Sequence, residues 1–161
     1  MYDSRASGVL LAVSSLPGPY GVGSLGAPAR RFVDFLADAG QTYWQILPLV
    51  PPGHGNSPYM SPSAFAGTPD LIDLDELVSM GLLTHQEVEA ARRDSPDRVD
   101  YAHLQATRMD LLYQAFLRFP GRRAQMPEEL HLPWLEDYAK FAALHDQYQT
   151  DCSQWPKEAV P

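Results

Sequence analysis

Gly8-Val9-Leu10-Leu11-Ala12-Val13 is a continuous apolar run that breaks off into Ser14-Ser15-Leu16-Pro17-Gly18-Pro19-Tyr20-Gly21-Val22-Gly23, a stretch dense in turn residues. A strand apolar at every position is the pattern of one buried on both faces, as in a parallel sheet covered by helices. A helix is expected next, from about Ala27 to Ala39. Pro28 suits its first turn, where a missing N–H costs nothing. Phe32, Val33, Leu36 and Ala39 recur at helical spacing, with Arg30, Arg31, Asp34 and Asp38 on other faces. Gly40 is placed to end the helix in a left-handed conformation. Thr42-Tyr43-Trp44-Gln45-Ile46-Leu47 then reads as a second strand, closed by Pro48. Strand, helix and strand in this order make a βαβ unit, which implies a parallel pair and a right-handed crossover.

Beyond this unit the chain runs loop-like from Pro48 to Pro69, around Pro51-Pro52-Gly53-His54-Gly55-Asn56-Ser57-Pro58-Tyr59. That exceeds the ~12–15 residues beyond which an ordered loop in a compact domain usually carries a function. Leu71-Ile72-Asp73 reads as a brief strand. Helical patterns follow: Leu74 to Met80, a capping box at Thr84-His85-Gln86-Glu87, Val99 to Phe119 stopped by Pro120-Gly121, and Trp134 to Leu144.

The 161 residues suffice for one ordinary domain, and 45% hydrophobic with 20% charged residues is the balance of a soluble globular protein. A net charge of −8, with no basic run interleaved with aromatics, argues against nucleic acid and against an anionic membrane surface. Cys152 is the only cysteine, so no intrachain disulfide forms and a reducing, cytoplasmic setting is expected. Val9 to Val13 is too short for a signal-peptide core or a membrane helix.

Three linked blocks carry a family resemblance. The first is Arg5-Ala6-Ser7-Gly8-Val9-Leu10-Leu11, running on to Ser15-Leu16-Pro17-Gly18-Pro19-Tyr20-Gly21-Val22-Gly23. The second is Tyr43-Trp44-Gln45-Ile46-Leu47-Pro48-Leu49. The third is Gly55-Asn56-Ser57-Pro58-Tyr59 with Ser61-Pro62-Ser63-Ala64-Phe65-Ala66-Gly67. In order and spacing they resemble the N-terminal portion of the 4-α-glucanotransferases (amylomaltases and disproportionating enzymes, glycoside hydrolase family 77). Trp134-Leu135-Glu136-Asp137-Tyr138-Ala139 and Gln154-Trp155-Pro156 are similar to later segments of the same family.

The resemblance implies an α/β chain: residues 1–73 as the start of a (β/α)8 TIM barrel with two substrate-cleft loops, and 74–161 as a mainly helical inserted subdomain. It implies transfer of α-1,4-glucan segments between maltooligosaccharides through a covalent glycosyl–enzyme intermediate, without a cofactor. A complete barrel takes about 250 residues, so this chain corresponds to its opening part. The family's nucleophilic aspartate, acid/base glutamate and third essential aspartate match no residue here; no catalytic residue is assigned.

Ser57 and Tyr59 are the leading substrate-binding candidates. Sugars present apolar C–H faces that lie well on an aromatic ring, and a hydroxyl both donates and accepts. Pro58 between them fixes φ and stiffens the pair. On residue type alone Tyr59 reads first as a loop tyrosine packed for structure. The resemblance implies the site role: a tyrosine packed on a glucose ring and a serine bonded to sugar hydroxyls. Asn56 and His54 flank the pair as rim candidates, where the family commonly shows an aspartate and an aromatic; Met60 stands where a glutamine is usual.

Other residues read structurally. Trp44 on a strand is expected in the core. Asp70, Asp73, Asp75 and Glu76 suit helix caps and a helix start better than the carboxylate pair, about 5–5.5 Å apart, of a retaining reaction. The five histidines lack metal-ligand spacing, and no Gly-rich phosphate loop follows a strand. Two rival readings remain: a glucan-binding module without catalysis, and an inactive structural fragment whose open strand edges favour association.

Overall fold

The computed structural model describes residues 5–93, 98–123 and 132–159. β1 (Gly8–Leu10) and β2 (Tyr43–Gln45) pair in parallel, with Gly8 opposite Tyr43, Val9 opposite Trp44 and Leu10 opposite Gln45. Backbone bonds from Thr42 N–H to the Ser7 carbonyl (2.9 Å) and from Leu11 N–H to the Gln45 carbonyl (3.0 Å) extend the ladder at each end. Between the strands runs α1 (Ala27–Asp38), with Pro28 in its first turn. It stops where Gly40 takes φ 66°: Gly40 N–H donates to the Ala37 carbonyl and Gln41 N–H to that of Leu36, the two bonds of a Schellman motif. The expected βαβ unit is therefore present.

Three expectations fail here. The first strand does not continue to Val13. Ser15 N–H bonds back to the Ala12 carbonyl at 3.0 Å and curls Val13–Ser15 into a 3₁₀ turn. Nor is β1 buried on both faces: all its residues are exposed, Leu10 to 59%. Helix α1 covers one side of the pair, where Phe32 meets Trp44 edge-on at 4.9 Å, and among the described residues no third strand flanks it. Leu71–Asp73 is not a strand either. Pro69–Leu71 forms a 3₁₀ turn capped by the Thr68 hydroxyl, which accepts from Asp70 N–H.

The second half is helical: α2 (Leu74–Ser79), α3 (His85–Glu89), α4 (Tyr101–Arg118) and α5 (Leu135–Tyr148). The capping box at α3 is complete, the Thr84 hydroxyl accepting from Glu87 N–H while the Glu87 carboxylate accepts from Thr84 N–H. Helix α5 runs one turn past the expected Leu144 and ends on Gln149 in the left-handed region, φ 53°.

Two apolar clusters hold these elements. Val13, Leu16, Ala29 and Leu71 sit under the βαβ unit, with Phe32 and Trp44 packed against them. Leu74, Leu82, Leu83, Val88, Ala91 and Ala115 form the second cluster beneath α2, α3 and α4. Tyr20, from the turn-rich stretch after β1, is buried in this second cluster, and its hydroxyl donates to Asp75. That ring therefore bridges the strand half and the helical half. Burial and the Asp75 carboxylate both push its phenol well above the usual value, so it is a neutral donor across the ordinary pH range.

Candidate functional site

The loop after β2 owes its shape to a few bonds and two backbone constraints. Gly53 N–H donates to the Ser57 carbonyl and Asn56 N–H to that of Gly53, each at 3.0 Å, drawing residues 53–57 into a tight knuckle. Within it Gly55 (φ 66°) and Asn56 (φ 57°) are both left-handed, a conformation that glycine takes freely and asparagine tolerates. Gly53 must lack a side chain for another reason: a Cβ there would collide with the Met60 carbonyl.

A 3₁₀ turn, Pro58–Met60, follows directly. The Ser57 hydroxyl caps it by accepting Tyr59 N–H at 3.3 Å, and Pro58 fills the first position, where no N–H is needed. The turn throws the Tyr59 ring outward, 71% exposed, with Ser57 half-buried at its foot. One lone pair of the hydroxyl is engaged, which leaves its proton and a second lone pair for a ligand. The base of the loop is pinned by Thr68 N–H on the Leu49 carbonyl, 2.8 Å. Nearby, the Ser63 hydroxyl accepts from Phe65 and Ala66 N–H.

Beside this knuckle lies a partly open cavity of about 410 Å³ between the two post-strand loops. Its walls include Ser14 and Ser15 from the first loop, Asn56, Pro58 and Asp70 from the second, and Tyr101 at the start of α4. Of the four sequence candidates, Asn56 lines the cavity. Ser57 and Tyr59 flank it through Pro58, and His54 is exposed on the knuckle. Ser14, Ser15, Asp70 and Tyr101 were not among the sequence candidates. The serines sit in the turn-dense stretch after a strand, which is the available signal for them; nothing near Tyr101 in sequence announces it.

Chemically the cavity offers, among the described residues, hydroxyls, an amide, aromatic surface and a single lining carboxylate, that of Asp70. The other members of the acidic cluster are occupied elsewhere. Asp73 caps α2 by accepting Glu76 N–H at 3.0 Å and also accepts from the Ser24 hydroxyl. Asp75 holds the Tyr20 hydroxyl, and Glu76 is ion-paired with Arg30. Trp44, expected in the core, is only partly buried against the first cluster, and its indole N–H donates to the Leu11 carbonyl at 2.8 Å. Among the described residues no group of three His, Cys, Asp or Glu side chains could hold a metal, and no helix is long and apolar enough to cross a membrane.

Comparison with known proteins covers nearly the whole chain. Residues 11–160 match the family model for 4-alpha-glucanotransferase. A 4-alpha-glucanotransferase of Synechocystis is 42% identical over 98% of this chain and 33% of its own length. The Thermus thermophilus 4-alpha-glucanotransferase is 44% identical over 94% and 31%. The chloroplastic/amyloplastic one of Solanum tuberosum is 39% identical over 96% and 29%. The solved amylomaltase from Streptococcus agalactiae, in complex with acarbose, superposes with a TM-score of 0.88 at 37% identity, covering 98% of this chain and 33% of the amylomaltase. The chain thus spans about a third of the length of the relatives it matches.

Proposed function

The chain belongs to the 4-alpha-glucanotransferase family, and from that premise we propose that it is the sugar-contacting N-terminal third of an enzyme that moves α-1,4-glucan segments between maltooligosaccharides. Residues 1–73 would open a (β/α)8 barrel and residues 74–161 form a helical subdomain inserted beside it. The exposed faces and edges of the β1–β2 pair support this reading, because a parallel sheet is stable only when flanked and covered. Both long loops also follow strands, which is where a barrel carries its active site.

In this proposal Tyr59 stacks on a glucose ring and Ser57 donates its free proton to a sugar hydroxyl, with Asn56 and His54 at the rim. The observation that carries the reading is the Tyr59 ring, 71% exposed yet mounted on a proline-stiffened, serine-capped turn next to the cavity. Aromatic surface presented at such cost in exposure is suited to a ligand with apolar C–H faces.

The reaction proposed is retaining transfer. A carboxylate attacks the anomeric carbon, an acid protonates the departing chain, and an acceptor sugar hydroxyl then takes the place of water. Two carboxylates must flank the scissile bond, and among the described residues Asp70 is the one carboxylate that lines this cavity. We therefore place both beyond this chain. The test is to incubate the full-length polypeptide with maltotriose. Glucose together with longer maltooligosaccharides, the transferred unit keeping its α configuration by NMR, is the expected result. Hydrolysis products alone, or inverted product, would refute it.

A further inference from the structure

Arg108 is 2% exposed, the one charged side chain in the buried set of described residues. A guanidinium so deeply placed ordinarily meets a carboxylate fork. Here Nη2 instead donates to two main-chain carbonyls, those of Asp70 (2.7 Å) and Ile72. Burial pulls its pKa below the ordinary guanidinium value, an effect the Asp70 and Asp73 carboxylates partly offset, and its buried Nε has no hydrogen-bond partner among the described residues. Burying a charge for packing alone is costly, and an apolar side chain would fill the same space at less expense.

What those carbonyls belong to explains the placement. The carbonyls of residues 70 and 72 face α4, while the one between them, of Leu71, accepts Leu25 N–H at 2.9 Å from the loop after β1. The 70–72 segment is thus strung between the two halves of the chain. It is also the downstream anchor of the sugar-contacting loop, whose base closes at Leu49 and Thr68. Thr68, Asp70 and Leu71 line the cavity together with Asn56 and Pro58. Tyr101, two turns upstream of Arg108 on α4, lines it as well.

We propose that Arg108 is a positioning residue for glucan binding: from α4 it fixes the carbonyls of Asp70 and Ile72, and so sets the cavity wall and the anchor of the loop that presents Ser57 and Tyr59. This rests on the reading of that loop as the glucan contact. Losing the clamp loosens the loop and weakens substrate binding, while the reacting groups, elsewhere in the enzyme, are untouched.

The test uses the full-length enzyme with Arg108→Met and Arg108→Lys. Hydrogen exchange is followed by mass spectrometry, and kinetics are measured on maltotriose well below melting. In Arg108→Met, exchange across residues 53–72 should rise about tenfold or more while α3 and α5 keep their protection. KM should rise about fivefold with kcat within about twofold, and Arg108→Lys should recover part of both effects. A lowered melting temperature with unchanged exchange over 53–72 and unchanged KM would overturn the proposal, making Arg108 purely structural. So would failure of the Lys variant to fold. If the unaltered enzyme leaves maltotriose unchanged, the glucanotransferase reading falls, while the exchange data still decide whether Arg108 holds the loop.

Discussion

The Ser57 hydroxyl accepts the backbone N–H of Tyr59 at 3.3 Å, so the hydroxyl and the exposed ring are two faces of one short turn rather than independent side chains. On the proposed reading, a sugar seated on the ring would lie within one turn of the hydroxyl. Removing either residue should therefore affect recognition in a different way.

Tyr59→Ala in the full-length enzyme should lower kcat/KM for maltotriose about tenfold or more, equivalent to ~1.5 kcal/mol of lost stacking. Melting should shift by no more than the ±0.5 kcal/mol usual of exposed sites, because the ring touches little in the fold. Tyr59→Phe should keep most of the activity. Steady-state kinetics beside a thermal melt check all three statements, and a large melting loss in Tyr59→Ala would mark the tyrosine as structural.

Gly53 and Gly55 make separable demands on the same knuckle. Gly53→Ala puts a Cβ into the Met60 carbonyl, and the loop must open to admit it. Gly55→Ala meets open space and faces only the left-handed backbone, a cost of about 1 kcal/mol. Gly53→Ala should thus cost more, by ~1–3 kcal/mol of overpacking, and should raise KM where Gly55→Ala leaves it nearly unchanged. Denaturant melts and maltotriose kinetics on the two variants read the difference.

Leu74 is fully buried at the centre of the helical cluster, at the first turn of α2. Leu74→Ala should destabilise by ~2–5 kcal/mol, the range for a leucine truncated in a close-packed core. A chemical denaturation midpoint that fails to move would mean that the α2–α4 packing is not as described.

Glu87 links the α3 cap to the end of α4. The Arg118 guanidinium, with both its NH2 groups on the carboxylate, and then the Thr84 hydroxyl and N–H hold its carboxyl at about 2, below the ordinary 4.5. A depressed folded value means stability that is complete above the ordinary carboxylate range and is lost as pH falls toward 2. Glu87→Gln keeps the cap's geometry and removes the charge. Its melting deficit should hold steady above about pH 5 and shrink progressively below about pH 4.5. A deficit independent of pH would mean that the charge is not its source and that the amide fails to reproduce the cap.

How much of this was legible beforehand depends on how far each signal reaches along the chain. Helix α1 is written locally, in Pro28, the apolar spacing of Phe32 and Leu36, and Gly40. The α3 capping box is likewise four adjacent residues, Thr84 to Glu87. Leu71-Ile72-Asp73 misleads because its side chains suit a strand. Its backbone partners are instead Arg108 and Leu25, 36–46 residues away, and the Thr68 and Asp73 caps on either side turn it. Leu11 to Val13 misleads in the same way: apolar residues suit a strand or a buried turn alike, and Ser15 closing back on Ala12 decides it. The knuckle around Ser57 was visible through its glycines and prolines. The cavity beside it was not, because Ser14, Asp70 and Tyr101 meet only once the two halves are folded together.

The central claim is that this chain holds sugar contacts while the reacting carboxylates lie outside it. The direct measurement is to incubate the 161-residue chain with maltotriose and separate the products by chromatography. Unchanged maltotriose is the predicted result. Glucose accompanied by longer maltooligosaccharides would contradict the account, because carboxylates within these residues would then be doing the chemistry.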